Sequence, residues 1–300
     1  MNCTRRGKWW LFFVFLLMTI LLSIMLIWKC PSKEDSELEK ELTYLFSQEL
    51  GHTLIGAKPM SCEEWFWYRS VSRQSKEKII DFLERTFADK KTFILHIHTA
   101  FQCMTDITLI HKPLLTKTIC KEKYLKNFIK RQYGNTTNFF QKLENCKGCI
   151  FNMFHYDDRA LGLAFGYGKT NSFYASRRME IQHFFRYGKG FCGYIVRPMP
   201  SPWSIVRFCK LPLPWIELPQ YDIRPSVGFY SLEEELDYLK SQEHKIQSFD
   251  PPYLFAPPCF IAKRCAETDR LIKHYKKSTE KLAQIYLKKS FSQFLAEQNT

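Results

Sequence analysis

The first 30 residues contain no aspartate or glutamate, and Trp9 to Trp28 contain no charge, glycine or proline of any kind. That stretch, WWLFFVFLLMTILLSIMLIW, has nothing to break a helix and nothing to hold it in water. Its 20 residues span about 30 Å as a helix, the hydrocarbon thickness of a bilayer. Trp9, Trp10 and Trp28 place indole rings at both ends, where the membrane interface favours them. No small-x-small cleavage site follows, which speaks against a removed signal peptide. No small residues precede Cys30, which excludes a lipoprotein site there. The run is expected to be an uncleaved transmembrane helix contacting the lipid bilayer through residues 9–28.

Other absences narrow the function. No internal repeat occurs, and one compact α+β domain following a stalk is the simplest architecture. No G-x-S-x-G elbow is present, which removes the α/β-hydrolase nucleophile. Cys146-Lys147-Gly148-Cys149 is a C-x-x-C with no second C-x-x-C, so a four-cysteine zinc site is excluded. Gly168-Lys169-Thr170 ends like a phosphate-binding loop. That loop needs a glycine where Leu163 stands; Gly162 is one residue early, and the preceding segment reads as helix rather than strand. Nucleotide binding is not expected there, and no cofactor is expected anywhere.

What is present is mostly apolar and basic. Hydrophobic residues make up 45% of the chain and aromatics 16%, enough for a packed core. Arg5, Arg6, Lys8 and Lys29 flank the apolar run, and the rest keeps 40 basic against 30 acidic residues. This mild excess favours an anionic surface or an acidic protein partner, and no nucleic acid partner is predicted. The cations before the run, against Lys29, Lys33 and Lys40 after it, place the N-terminus in the cytoplasm. The main domain is then exported to the periplasmic side. Cys3 and Cys30 flank the run, and nine of the eleven cysteines lie beyond Cys30; in an exported domain some pair, and an odd one is left.

The expected fold class is α+β: a basic flank (1–8), the transmembrane helix (9–28), a stalk (29–45), and one mainly helical globular domain with a small sheet (46–300). Residues 75–89 carry a helical apolar period behind Ser75. TFILHIHT (92–99) and MTDITLIH (104–111) read as neighbouring strands, and 114–133 as one helix ending at Gly134. Asp157 is placed to cap a helix running to Phe165, which Gly166 and Gly168 break, with a second helix from about Asn171 to Arg186. Eleven of the 14 prolines fall in 198–258, predicting loops and edge strands. Within it Ser231 and Glu234 make a capping box, followed by a Leu232, Leu236, Leu239 and Ile246 stripe. A last basic amphipathic helix is expected over 266–295.

Three constellations could carry chemistry. His155, Asp157, Asp158, Lys169 and Asn171 cluster around the glycine-rich break, where a hydrolase-like site is conceivable. His96 and His98 share one face of a strand and could begin a metal site. Cys146 and Cys149 could be a redox or metal pair. Each also has a structural reading: glycines for close packing, histidines on the wetter face of a half-buried strand, inert or disulfide-bonded thiols. Asn135-Thr136-Thr137 matches a glycosylation acceptor, a tripeptide common by chance.

FSQELGHTLIGAKPMS (46–61), DDRALGLAFGYGKTNSF (157–173) and SLEEELDYLKSQEHKI (231–246), in that order behind an N-terminal anchor, resemble uncharacterised single-pass membrane proteins of Chlamydia and Chlamydia-like bacteria. The matching residues are Thr53, Leu54, Gly56, Lys58 and Pro59, then Leu161, Gly162, Gly166, Gly168 and Asn171. The resemblance implies a bacterial envelope setting and carries no reaction, cofactor or active site. The proline-rich segment and the nine cysteines depart from it.

Overall fold

The computed structural model describes residues 33–47, 49–65, 73–89, 91–101, 104–187, 224–244 and 262–297. The apolar run 9–28 and most of the proline-rich segment, with Ile246, lie outside them. Among the described residues no helix is long and apolar enough to cross a membrane.

Helix α1 (Lys33–Ser47) has Leu38, Leu42, Leu45 and Phe46 on one helical stripe. Leu42, Leu45 and Phe46 are fully enclosed, and Leu38 packs against the same core. The segment expected to be a stalk is therefore, from Leu38 onward, part of the folded body. A short helix α2 (Glu49–Leu54) leads into strand β1 (Met60–Trp65). Helix α3 (Arg73–Thr86) precedes strands β2 (Phe93–Phe101) and β3 (Met104–His111). The three strands form an antiparallel sheet in the order β1-β3-β2.

Alternation along the strands gives this sheet two different faces. Phe93, Ile107 and Leu109 face a core built from α1, α2, α3 and the C-terminal helices. Met60, Ile94 and Ile110 face a second core. That core is closed by α4 (Lys112–Lys121), α5 (Lys123–Tyr133), α6 (Thr136–Glu144), a 3-10 turn (Ile150–Phe154) and α7 (Asp158–Ala164). Helix α8 (Lys169–Tyr187) packs on α9 (Leu232–Ser241) through a third cluster, with a two-stranded ribbon of β4 (Glu243–His244) and β5 (Ala262–Lys263) beside them. The architecture is α+β and mainly helical, as expected.

Two helices expected to be continuous are broken. The 114–133 segment splits at Glu122, whose extended backbone (φ −94°, ψ 100°) ends α4 and precedes α5. The bend lets Leu115 and Ile119 meet the same core as Leu125, Phe128 and Ile129. The last segment splits into α10 (Ala266–Lys288) and α11 (Phe291–Glu297). Here the cause is distant: the Glu39 carboxylate of α1 accepts from the Phe291 amide (2.6 Å), the Ser292 amide (3.2 Å) and the Ser292 hydroxyl (2.8 Å). It satisfies the open amides of α11 as an N-cap side chain would.

The caps at Ser231 and Gly134 sit where the sequence places them, whereas Ser75, expected before its helix, lies inside α3 and its hydroxyl donates to Glu37 at 2.9 Å. The Ser231 hydroxyl accepts from the Glu234 amide at 3.2 Å, and Leu232, Leu236 and Leu239 are buried. Asn135 caps α6 by accepting from the Asn138 amide at 2.8 Å, so its carboxamide has a structural task. Gly134 ends α5 at φ 77°.

Helices α8 and α9 are locked by a buried fork. Arg177 donates from Nε and Nη2 to the two oxygens of Glu235, at 2.8 and 2.7 Å, and Ser226 donates to the same carboxylate from its amide and hydroxyl. Burial alone would raise the Glu235 pKa, but these hydrogen bonds outweigh it and hold the group at about 2. A carboxyl depressed in the folded state contributes fully above its unfolded pKa, near 4.5, and that contribution is lost as pH falls towards 2. Glu235→Gln should therefore cost about 3 kcal/mol at pH 7 and show a shallower decline than wild type on acidification. Urea melts at neutral and acidic pH check both.

Candidate functional site

The glycine-rich break buries Asn171 and half-buries Asp157 and Asp158, while the side chains of His155 and Lys169 stay exposed. Asp157 caps α7, accepting from the Ala160 amide and from the Tyr124 hydroxyl, both at 2.8 Å. Asp158, the first residue of α7, has its pKa raised to about 6 by burial and by the neighbouring Asp157. His155 is exposed in a left-handed conformation (φ 47°), its ring beside Tyr133 and Phe128. Asn171 lies in the first turn of α8 rather than at its start, and it is fully buried. Its Nδ2 donates to the Tyr167 carbonyl at 3.0 Å, while Oδ1 accepts from the Lys263 amide and the Thr268 hydroxyl, each at 2.9 Å.

The Gly168-Lys169-Thr170 turn does bind an anion, but one from the chain itself. The Lys169 and Thr170 amides donate to the two carboxylate oxygens of Glu267 at 3.0 and 2.6 Å. The physics is that of a phosphate site at a helix N-terminus, with a carboxylate in the phosphate's place. The glycines serve contact. A Cβ on Gly162 would lie 2.8 Å from the Ser172 hydroxyl, one on Gly166 2.7 Å from Pro59 Cδ, and one on Gly168 2.8 Å from the Glu267 carboxyl. Gly166 and Gly168 also have φ of 79° and 87°, where a side chain is strained.

These contacts join two distant segments, 53–59 and 161–171, around one buried cation. Lys58 is fully enclosed; its ammonium donates to Glu49 at 2.8 Å. It also lies 5.4 Å from the Phe165 ring centre and 4.9 Å from that of Tyr167. Those rings stack at 5.5 Å on either side of Gly166 in sequence, and the Tyr275 hydroxyl donates to the Gly166 carbonyl at 3.0 Å. Beneath them His52 shares a hydrogen bond with the Ser278 hydroxyl at 2.5 Å. Glu49 lies nine residues before Lys58, whereas Glu267 and Tyr275 come from far along the chain, and no spacing in the sequence points to any of them.

The other two constellations, read separately in the sequence, meet at one corner. On the second-core face of the sheet the apolar row Met60, Ile110, Ile94 is followed by Cys62, Thr108, His96 and then Asp106, His98. The His96 and His98 ring centres are 6.5 Å apart. The Cys146–Cys149 turn covers this polar end: the backbone of Cys146 and Gly148 lies against the His96 ring, and Cys149 stands near Asp106. His96 is buried, yet among the described residues neither ring nitrogen reaches hydrogen-bond geometry with a partner. Burial, then His98, lowers its pKa, and the neutral ring results. Burial, with Asp106 and Cys146, raises the Cys149 thiol. Cys120, Cys146, Cys149 and Cys265 are free thiols. Among the described residues no three histidine, cysteine, aspartate or glutamate side chains gather as a metal-holding group. His155, Asp157 and Asp158 do not complete such a group with His96 and His98.

No family model matches the chain, and no curated protein or solved structure matches it either.

Removing Lys58 as Lys58→Ala leaves Glu49 without its cation and opens a void; a loss of about 3–5 kcal/mol is expected in chemical denaturation. Lys58→Met, which fills the volume, should lose clearly less. Glu267→Ala should cost about 1–2 kcal/mol by exposing the amides of α8, and Glu267→Asp should restore part of it.

Proposed function

We propose that this chain is a membrane-tethered, non-catalytic protein of a bacterial envelope, a folded interaction domain held at the bilayer by residues 9–28. The observation that carries the reading is the inward bonding of Asp157, Asn171 and the Lys169 and Thr170 amides, which leaves the exposed His155 and Lys169 side chains without them. Asp157 caps a helix, Asn171 ties α8 to β5 and α10, and the amides of the phosphate-loop look-alike hold Glu267. A hydrolytic centre needs such groups turned towards a substrate. The hydrolase-like alternative at 157–171 rested on glycine density, and the contacts of those glycines account for it through packing. The apolar run, its tryptophan ends and the cations before it support the tether and an exported domain.

Cell envelopes washed with alkaline carbonate should retain the full-length polypeptide in the membrane fraction, with an amino terminus before residue 9. Free release, or a mature terminus beyond residue 28, overturns the tether.

A further inference from the structure

Helix α10 turns a row of unpaired cations to solvent. Arg270, Lys273, Lys277, Lys281 and Lys288 are all exposed. At about 3.6 residues per turn, Arg270, Lys277, Lys281 and Lys288 fall within about 40° of one another around the axis, with Lys273 beside them. The row is turned away from the buried Thr268, Tyr275 and Leu282 and runs for about 27 Å. Among the described residues none of these cations forms an ion pair. Asp269 and Glu280, the exposed acids of α10, lie along one edge of the face instead. Lysines four apart, as in Lys273, Lys277 and Lys281, repel one another and weaken a helix left to itself.

The C-terminal end of the row differs from a merely solvated face. Leu287 is 83% exposed beside Lys288. Lys289, by contrast, is turned to its own chain, paired with Glu297 and lying over the Phe294 ring. The same end is tied to the helix that follows the apolar run. The Glu39 carboxylate of α1 binds the Phe291 and Ser292 amides, and Ile285 and Tyr286 pack on the core that holds Leu38 and Leu42. Residues 29–32 separate the run from Lys33, a reach of at most about 17 Å. Glu39 is about 9 Å further along α1. With residues 9–28 in the bilayer, the end of α10 stands within reach of the headgroups.

We propose that this face, Lys277, Lys281, Leu287 and Lys288, rests on a bilayer surface rich in anionic lipid. The inference rests on the tether proposed above and adds a second contact, one that orients the domain. Cations near an anionic surface are attracted within a screening length of about 10 Å. Leu287 enters the interface between them, as the apolar residues of a membrane-surface helix do. Lys273 and Arg270 lie farther along α10 from its contact with α1 and contribute less.

The test uses the full-length chain in nanodiscs of phosphatidylcholine alone and of phosphatidylcholine with phosphatidylglycerol. Exposed amines are acetylated briefly and read residue by residue by mass spectrometry. Lys281 and Lys288 should label severalfold more slowly in the anionic discs, with Lys277 protected less and Lys273 least. Lys126 and Lys130, exposed on α5, should label equally in both. Salt at about 1 M, where the screening length falls to about 3 Å, should remove most of the difference. Lys281→Gln combined with Lys288→Gln should abolish the protection of Lys277, and Leu287→Ser should reduce it. A thermal transition matching wild type shows that each variant is folded. Equal labelling of Lys281 and Lys288 in the two discs, or equal protection of Lys126 and Lys130, overturns the proposal. So does protection by added polyglutamate in neutral discs with none from phosphatidylglycerol, which assigns the face to an acidic polypeptide. Retention on neutral discs through a high-salt wash reports the tether separately. A chain lost from neutral discs, yet held with protected lysines on anionic ones, overturns the tether and upholds the lipid-facing surface.

Discussion

A fully enclosed ammonium is among the least favourable things a protein can bury, and Lys58 has to be stabilised from every side it touches. Glu49 supplies the opposite charge, and the stacked faces of Phe165 and Tyr167 supply a negative quadrupole. This requirement fixes much else. Both rings can reach the same cation only because Gly166 turns the chain between them at positive φ, tight against Pro59. The segment before β1 is thereby bound to the turn between α7 and α8, and Tyr275 joins α10 to the same point. The two sheet-flanking cores are thus coupled through one charged contact.

Carboxylates from distant helices recur as caps. Glu267 serves the amides of α8 and Glu39 those of α11, separated from them by roughly a hundred and by more than two hundred residues. Both do by tertiary contact what a serine or aspartate does locally at Asp157 and Ser231. This explains why Gly168-Lys169-Thr170 imitates a phosphate loop without being one. Exposed amides at a helix start select any well-placed anion, and here the fold provides it.

Features settled within about four residues were legible in the sequence: the Asp157 cap, the Ser231 box, the Gly134 stop and strand β3 to the residue. So was the sharing of one strand face by His96 and His98, since strand alternation decides it. Breaks at Glu122 and at 289–290 were not. Both sides of each break carry good helical periodicity, and only the shape of the cores, or a carboxylate from α1, calls for a bend. The Lys58 pocket was visible only as a pair of glycine-bearing segments, and the meeting of His96 with the Cys146–Cys149 turn was not visible at all. Strand register and loop closure over some fifty residues place them together, and neither leaves a local trace.

The core on one side of the sheet draws Leu42, Leu45 and Phe46 from its first described helix and Leu282, Phe291 and Leu295 from its last two. During synthesis α2, α3 and the sheet can cover one side of the early stripe, as Phe87 does against Phe46, but the side that meets Phe291 waits for a partner that leaves the ribosome last. The nascent chain must therefore hold that side uncovered until translation is nearly finished, while the helices from α4 to α7 can already collapse on one another. Chaperone contact with the growing polypeptide should concentrate on that waiting side, and cutting off the final two helices would leave it in water.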